Sequence, residues 1–234
     1  MPKQHWQVKA NVPTLASWQP LAPLLGLKRL QGNMDVNAEL DGSGTAFVTK
    51  GKADIQQVVI QTSSASTIAL KTASAFWQVN TSSVDAAMQA HVLAQGLQAG
   101  DIFVPNIDGE WAGTGRSHHF KLGGDIGWQA APVKRIGGAD TTAKQVLTRL
   151  DLQGQGGMNN DGWAGKIQQL LWKAKQGNMP TLLEAQPVAF NWKPTPEGHQ
   201  FSMGGTKLTI AGLELAIQNI QAKWQGEASE PLDR

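Results

Sequence analysis

The sequence has no cysteine and no tyrosine, and only 16% of its 234 residues are charged, against about 25% in an average protein. The missing cysteine excludes disulfides, thiolate nucleophiles and cysteine-ligated metals. It leaves the compartment open. Net charge is +2, with both signs scattered and no basic stripe, so nucleic acid is not implied. No apolar run reaches the roughly 18 residues of a membrane helix. The longest comparable stretch, Leu21 to Leu27, is short and holds Pro23 and Gly26. Residues 1–11 are polar and lack the apolar stretch of a secretion signal. The chain opens within a pattern and stops in the polar Glu227–Arg234, so it reads as one continuous segment of a longer protein, with residues 1–12 and 227–234 loosely ordered.

What replaces the missing charge is 26 glycines, nine tryptophans and a wealth of Gln, Ser and Thr. That mixture suits strands and turns and suits long helices poorly. The dominant pattern is alternation. Met34, Val36, Ala38 and Leu40 interleave with Asp35, Asn37, Glu39 and Asp41; Leu213, Leu215 and Ile217 interleave with Glu214, Ala216 and Gln218. A period of two puts one set on each face of a strand. The signals predict about sixteen strands, over 31–41, 44–50, 52–61, 66–70, 75–80, 84–94, 97–104, 107–113, 118–129, 143–153, 162–173, 186–192, 199–203, 206–210, 212–219 and 220–226. Over 140–152 a helix capped by Asp140 competes with the strand. Residues 13–27 carry Pro13, Pro20 and Pro23 and read as a short helical turn. Short turns between successive strands imply an antiparallel meander. About sixteen strands at ~4.8 Å would run to roughly 75 Å, and open sheets seldom pass about ten strands without curling or splitting.

The chain also repeats itself. Asn106-Ile107-Asp108-Gly109-Glu110-Trp111-Ala112-Gly113 parallels Asn219-Ile220-Gln221-Ala222-Lys223-Trp224-Gln225-Gly226, and Trp163-Ala164-Gly165 gives a third Trp-x-Gly.

Little points to catalysis or metal binding. His118 and His119 are neighbours on a strand and face opposite ways, so they cannot ligate one metal without a bulge. Gly113-Thr114-Gly115 and Gly154-Gln155-Gly156-Gly157 lack phosphate-loop spacing and read as turns or bulges. Asp35, Glu39 and Asp41 read as the wet face of one strand. No metal, cofactor or catalytic residue is expected, and the protein is not read as an enzyme. Exposed tryptophans could stack on sugars, but Trp111, Trp163 and Trp224 sit in the repeat and read as structural.

What remains is the apolar face. Its candidate lining is Met34, Val36, Leu40, Val84, Met88, Val92, Val188, Phe190, Leu208, Ile210, Leu213, Leu215 and Ile217. Those residues become a dry core if the sheet closes into a sandwich or barrel. They line an accessible groove if it curls into an open trough. So large an exposed apolar band would aggregate unless a ligand such as an acyl chain covered it.

Leu21-Ala-Pro-Leu-Leu-Gly-Leu followed by Leu30-Gln-Gly-Asn-Met-Asp-Val-Asn-Ala-Glu-Leu-Asp-Gly-Ser-Gly resembles a recurrent unit of the TamB family, within the AsmA-like superfamily. Gly96 to Val104 running into Gly109 to Gly115, Leu150 to Gly156 with Gly162 to Ile167, and Glu184 to Phe190 are similar to the family's strand pairs and unit ends. The resemblance spans roughly residues 13–226 and is one of texture rather than of a catalytic signature. It implies an all-β fold: an elongated antiparallel sheet curled into an open, taco-like trough with an apolar lumen. It further implies a periplasmic location in a Gram-negative bacterium, with the parent anchored in the inner membrane and paired with an outer-membrane barrel. The implied role is a lipid-conducting bridge that shields phospholipid acyl chains between the two membranes. The alternatives are a scaffold that assembles outer-membrane proteins by strand augmentation, and a closed β-sandwich binding module.

Overall fold

The computed structural model describes residues 4–43, 46–62, 64, 66–130, 144–175 and 181–224. The strands are β1 (Gln4–Val12), β2 (Leu27–Ser43), β3 (Ala46–Thr62), β4 (Thr67–Asn80), β5 (Ala87–Ala99), β6 (Ile102–Thr114), β7 (His118–Ala130), β8 (Lys144–Asn159) and β9 (Gly162–Ala174), followed by β10 (Leu183–Ala185), β11 (Val188–Thr195), β12 (Gly198–Met203), β13 (Thr206–Ile210), β14 (Leu213–Ile217) and β15 (Ile220–Trp224). All belong to one antiparallel sheet that is open rather than closed on itself. The closed sandwich is therefore not the fold.

From β1 to β9 each strand pairs with its sequence neighbour. β9 then pairs with two partners, β11 along Trp163–Ile167 and β10 along Leu170–Trp172. β12 and β15 continue from β11, and β13 and β14 from β10. Hence β10–β11, β12–β13 and β14–β15 are three runs, broken midway at Gln186-Pro187, Gly204-Gly205 and Gln218-Asn219. The architecture is a twelve-run meander, not sixteen separate strands. Eleven spacings of ~4.8 Å give roughly 53 Å along the sheet, past the number at which open sheets stay uncurled.

The expected segments depart from the observed runs in the first half. Expected ends at Gly51 in β3, Lys71 in β4, Gly96 in β5 and Pro105 in β6 fall inside continuous strands, and the expected segment 97–104 crosses the turn at Gly100-Asp101 between β5 and β6. Apolar alternation slips by one residue at Gln57, Lys71, Gly96 and Pro105, where each strand carries an extra residue. Gln57 and Gly96 take positive φ, 51° and 67°. Pairing skips a residue between Gln31/Asn33 on β2 and the facing β3, and again between Phe103/Asn106 on β6 and the facing β7. Thus β3 to β6 each carry one residue more than β2 and β7 along a single line, a row of bulges that bends the sheet. A second row starts at Gln168 in β9, where pairing with β8 shifts at Gln153/Gly154. It continues through the three mid-run breaks.

The two rows make the repeat physical. Run one stops short of this line, run two has no extra residue on it although its pairing with β3 shifts again at Leu27/Arg29, and three to six slip; runs seven and eight are regular and nine to twelve slip. Asn106 and Asn219 hold the same place, just past the slip in the sixth run of each half. In each half a tryptophan, Trp111 or Trp224, follows five residues later, near the end of the run.

The expected helical turn is a 3₁₀ helix, Leu15–Leu25, capped by the Thr14 side chain and by Gly26 at φ 68°. Pro20 and Pro23 lack the N–H an α-helical ladder needs. The Gln19 side-chain amide donates to Lys28 O (2.6 Å) and its oxygen accepts from Leu30 N (2.9 Å), so it serves the edge of β2 beyond the reach of β1. Residues 4–12, read from sequence as loosely ordered, form β1. The helix considered from Asp140 begins outside the described residues, as do 227–234, and β8 starts at Lys144.

Candidate functional site

Residues directly opposite in an antiparallel pair share a face, so register traces each face across the molecule. One row reads Val12, Met34, Ile55, Ala73, Ala94, Ile107, Gly124, Leu150, Trp172, Leu183, Ile210, Leu213. The next reads Ala10, Val36, Ala53, Ala75, Val92, Gly109, Leu122, Leu152, Leu170, Ala185, Leu208, Leu215. Neither contains a polar side chain. The adjacent row on the opposite face is mostly polar, with Asp35, Asp54, Ser74, Asp108, Asp151, Glu184 and Glu214, but it also holds Leu93 and Leu171. The bulges keep this sorting intact, because each extra residue restores the phase the sequence has lost.

Twelve of the thirteen candidate lining residues share this apolar face: Met34, Val36 and Leu40 on β2, Met88 and Val92 on β5, Val188 and Phe190 on β11, Leu208 and Ile210 on β13, and Leu213, Leu215 and Ile217 on β14. Val84 does not. It sits in the turn between β4 and β5, where its carbonyl accepts from Arg116 N at 2.8 Å, and the run expected from 84 starts at Ala87. The middle of the face, Ile107, Leu122, Leu150, Leu152, Leu170 and Trp172, was missed because glycines at 109, 123, 124 and 154 interrupt the alternation that would mark it.

This face has no dry core beneath it. Among the described residues the buried apolar side chains are Leu15, Ala22 and Val188, whereas Val92 is 45% exposed, Leu215 50% and Leu213 72%.

Aromatic rings gather along one rim. Trp6, Trp77, Trp111, Trp163, Trp192 and Trp224 all lie on the apolar face near the same ends of their runs. His118 sits between Trp111 and Trp163, with ring centroids 5.3 and 5.8 Å away, and Trp163 meets Phe190 at 4.8 Å. His199 repeats the arrangement between Trp192 (5.2 Å) and Trp224 (5.6 Å). Glycines make room for these rings: a Cβ on Gly156 would stand 2.4 Å from the Trp163 ring. Near the same run ends a hollow of about 800 Å³ is lined by Arg116, Asn160 and Asp161 and, from the face opposite the rings, by Gln155 and Lys166 among others.

The opposite face carries scattered charge. Glu39 pairs with Lys50 at 2.9 Å, Asp35 accepts from Asn11 at 2.8 Å and Asp41 meets His5, so these carboxylates do not converge. Its one buried knot is Asp125, 4% exposed at the side chain, which accepts from Asn106 (2.6 Å) and Lys175 (2.7 Å) with Arg149 at 3.5 Å. Burial pushes the Asp125 carboxyl up, but the Lys175 and Asn106 hydrogen bonds and the two cationic charges outweigh it and hold it below the usual carboxylate range. The Asp151 hydrogen bond, against the cost of burial, raises Arg149. Among the described residues no group of three His, Asp or Glu could hold a metal, and no helix is long and apolar enough to cross a membrane. No known protein family, curated protein or solved structure matches the chain.

Proposed function

We propose that the apolar face is the wall of a lipid-conducting trough, which shields the acyl chains of phospholipids as they move between two membranes. The observation that carries this reading is the pair of unbroken apolar rows crossing all twelve runs, their side chains half-buried or exposed rather than packed into a core. A sheet that keeps two full rows apolar, and bends four runs in each half to hold them in phase, has a use for that face. Each CH₂ taken from water is worth about 0.8 kcal/mol. A lining of Ala, Val, Leu and Ile without a deep pocket gives little preference for one position over the next, so a chain held there can slide. Head groups remain at the wet rim, beside the turn that carries the Arg116–Asp85 ion pair at 2.9 Å. The TamB-like texture supports the same reading, with a periplasmic setting and a membrane-anchored parent.

The test is native mass spectrometry of the purified protein with lipid extraction alongside. The expected result is co-purified phospholipid at defined stoichiometry, lost in Val92→Asp and Leu215→Asp variants that keep the wild-type circular dichroism. Both positions are exposed, so a carboxylate there leaves the fold intact. Lipid-free wild-type protein, or undiminished loading in both folded variants, would overturn the reading and leave strand addition to outer-membrane clients as the better account.

A further inference from the structure

A polar side chain stands among the rings of the aromatic rim. His118 opens β7 on the apolar face, and the residues directly opposite it in both neighbouring strands are glycines, Gly113 and Gly156. Those glycines leave the imidazole to the indoles of Trp111 and Trp163, which close on it from either side. Its Nδ1 lies 3.2 Å from Thr114 O. A carbonyl only accepts, so the neutral ring carries its hydrogen on Nδ1 and keeps Nε2 as an acceptor. Among the described residues Nε2 has no partner, and the polar atoms buried without one are Asp125 Oδ1 and His199 Nδ1 instead. Nε2 is therefore open to the rim.

The charge around it has one sign in excess. The turns along this rim on either side of His118, residues 81–86, 115–117, 160–161 and 196–197, carry Asp85, Asp161 and Glu197 against a single cation, Arg116. Arg116 Nε already donates to Asp85 at 2.9 Å, and Lys166 and Lys193 lie on the opposite face. An acceptor nitrogen, flanking π systems and a surplus of carboxylate select a cation that can donate a hydrogen bond. We infer that this rim is the head-group site of the trough and takes a primary ammonium, the ethanolamine head group of a phospholipid. One N–H goes to His118 Nε2, and the charge is met by the indole rings and the neighbouring carboxylates. This rests on the trough reading: Phe120 and Leu122 continue inward from His118 on the same face, so acyl chains on the apolar rows bring their head group to the imidazole. The site discriminates by what it leaves unmet. A choline head group has no N–H to give, and a glycerol head group has no positive charge. The second half repeats the setting, with His199 between Trp192 and Trp224.

Head-group recognition is testable without acyl chains. Glycerophosphoethanolamine, glycerophosphocholine and glycerophosphoglycerol are each titrated at one fixed pH into nitrogen-labelled protein. NMR follows the His118 Nε2 resonance, assigned by its absence in His118→Phe. The ethanolamine compound should move it, with an affinity about tenfold above that of the other two, the worth of one hydrogen bond to a charged group. In parallel the protein is offered equal amounts of the three phospholipids with identical acyl chains, and loading is read by native mass spectrometry. Wild type should take the ethanolamine lipid in preference. His118→Phe keeps a ring between the indoles but removes the acceptor, and should load the three alike while its circular dichroism matches wild type. An Nε2 resonance that responds to none of the compounds, or to all three equally, overturns the inference and leaves the trough reading standing. So does a preference for the ethanolamine lipid that survives in His118→Phe. Failure of the trough itself reads out separately, as absence of acyl lipid, and the head-group titration decides this inference in that case as well.

Discussion

The first six runs, β1 to β6, and the last six, β7 to β15, meet one requirement by two means. In each half the last four runs carry an extra residue that must be absorbed without turning apolar side chains to the wet face. The first half absorbs it inside unbroken strands, through the left-handed backbone of Gln57 and Gly96 and the bulge at Pro105. The second half breaks three of its runs, at Pro187, at Gly204-Gly205 and at Gln218-Asn219, into strands of three to eight residues. The broken runs still hold together: Gln186 N donates to Lys207 O at 2.9 Å and Gly204 N to Ala189 O at 2.8 Å. Phase is thus the conserved quantity of this fold, and strand continuity is expendable. The difference also predicts that the mid-run amides of β10 to β15 exchange with solvent faster than those of β3 to β6, because short strands open locally. Hydrogen-exchange mass spectrometry that found equal protection would break the comparison.

The largest single effect is expected where the two halves join. Asp125 ties Asn106 of β6 to Lys175 and Arg149 across β7, β8 and the end of β9. Replacing it by Asn leaves those cations facing a neutral group. Removing one member of a fully buried pair costs about 3–5 kcal/mol. The Arg149 and Lys175 side chains are 32% and 40% exposed and Arg149 keeps Asp151, so Asp125→Asn falls below that range, at about 2–3 kcal/mol for the lost hydrogen bonds to charged groups, read by urea denaturation. Because the folded carboxyl titrates below its unfolded value of ~3.9, its stabilisation is complete above that value and is lost as pH falls through the folded one. The wild type should therefore lose more stability on acidification than the variant. Parallel acid limbs would show that Asp125 does not pin the joint.

Much of this was legible in the sequence, and the failures share a cause. Alternation places twelve of the thirteen lining residues on one face, and the Asn-Ile-x-x-x-Trp repeat marks equivalent points of two halves. Alternation alone, however, does not separate a strand end from a bulge. Gly51, and the slips near Lys71, Gly96 and Pro105, read as strand ends, yet β3, β4, β5 and β6 pass through them. Val84 was assigned to a strand because it shares the parity of Met88 and Val92, but β5 starts at Ala87 and Val84 lies in the turn before it. The middle of the apolar face escaped for another reason. Gly109, Gly124 and Gly154 occupy apolar-face positions with no side chain to count, and the ring of Phe120 fills the space a Cβ on Gly154 would need, 2.4 Å away. The ion knot at Asp125 joins residues up to 50 apart in sequence, which no local pattern reports.

Glycine substitutions sharpen the contrast between the two kinds of bend. Gly32 faces the Gln57 bulge at φ 120°, and an added Cβ would stand 2.8 Å from Val58 Cα and 2.9 Å from Gln56 O. Both are backbone atoms that cannot swing aside, so Gly32→Ala should cost about 2 kcal/mol through strain and crowding. One step weaker is Asn219→Ala, which removes the 2.6 Å hydrogen bond that Gly205 N donates to the Asn219 side chain and should cost about 1 kcal/mol.

Smallest of all is Gly204→Ala, at the equivalent bend of the second half. Its added Cβ would meet only Ala189 O, at 3.6 Å, an ordinary contact, and its φ lies outside the left-handed region. An alanine there adds no crowding and narrows the freedom of the unfolded chain, an effect of ~0.4–1 kcal/mol in favour of the fold where the backbone is compatible. Gly204→Ala should therefore leave the unfolding midpoint unchanged or raise it slightly, while Gly32→Ala lowers it. Equal losses at the two sites would mean that the broken bend is as tightly built as the bulged one, and the contrast between the halves would be one of hydrogen-bond bookkeeping alone.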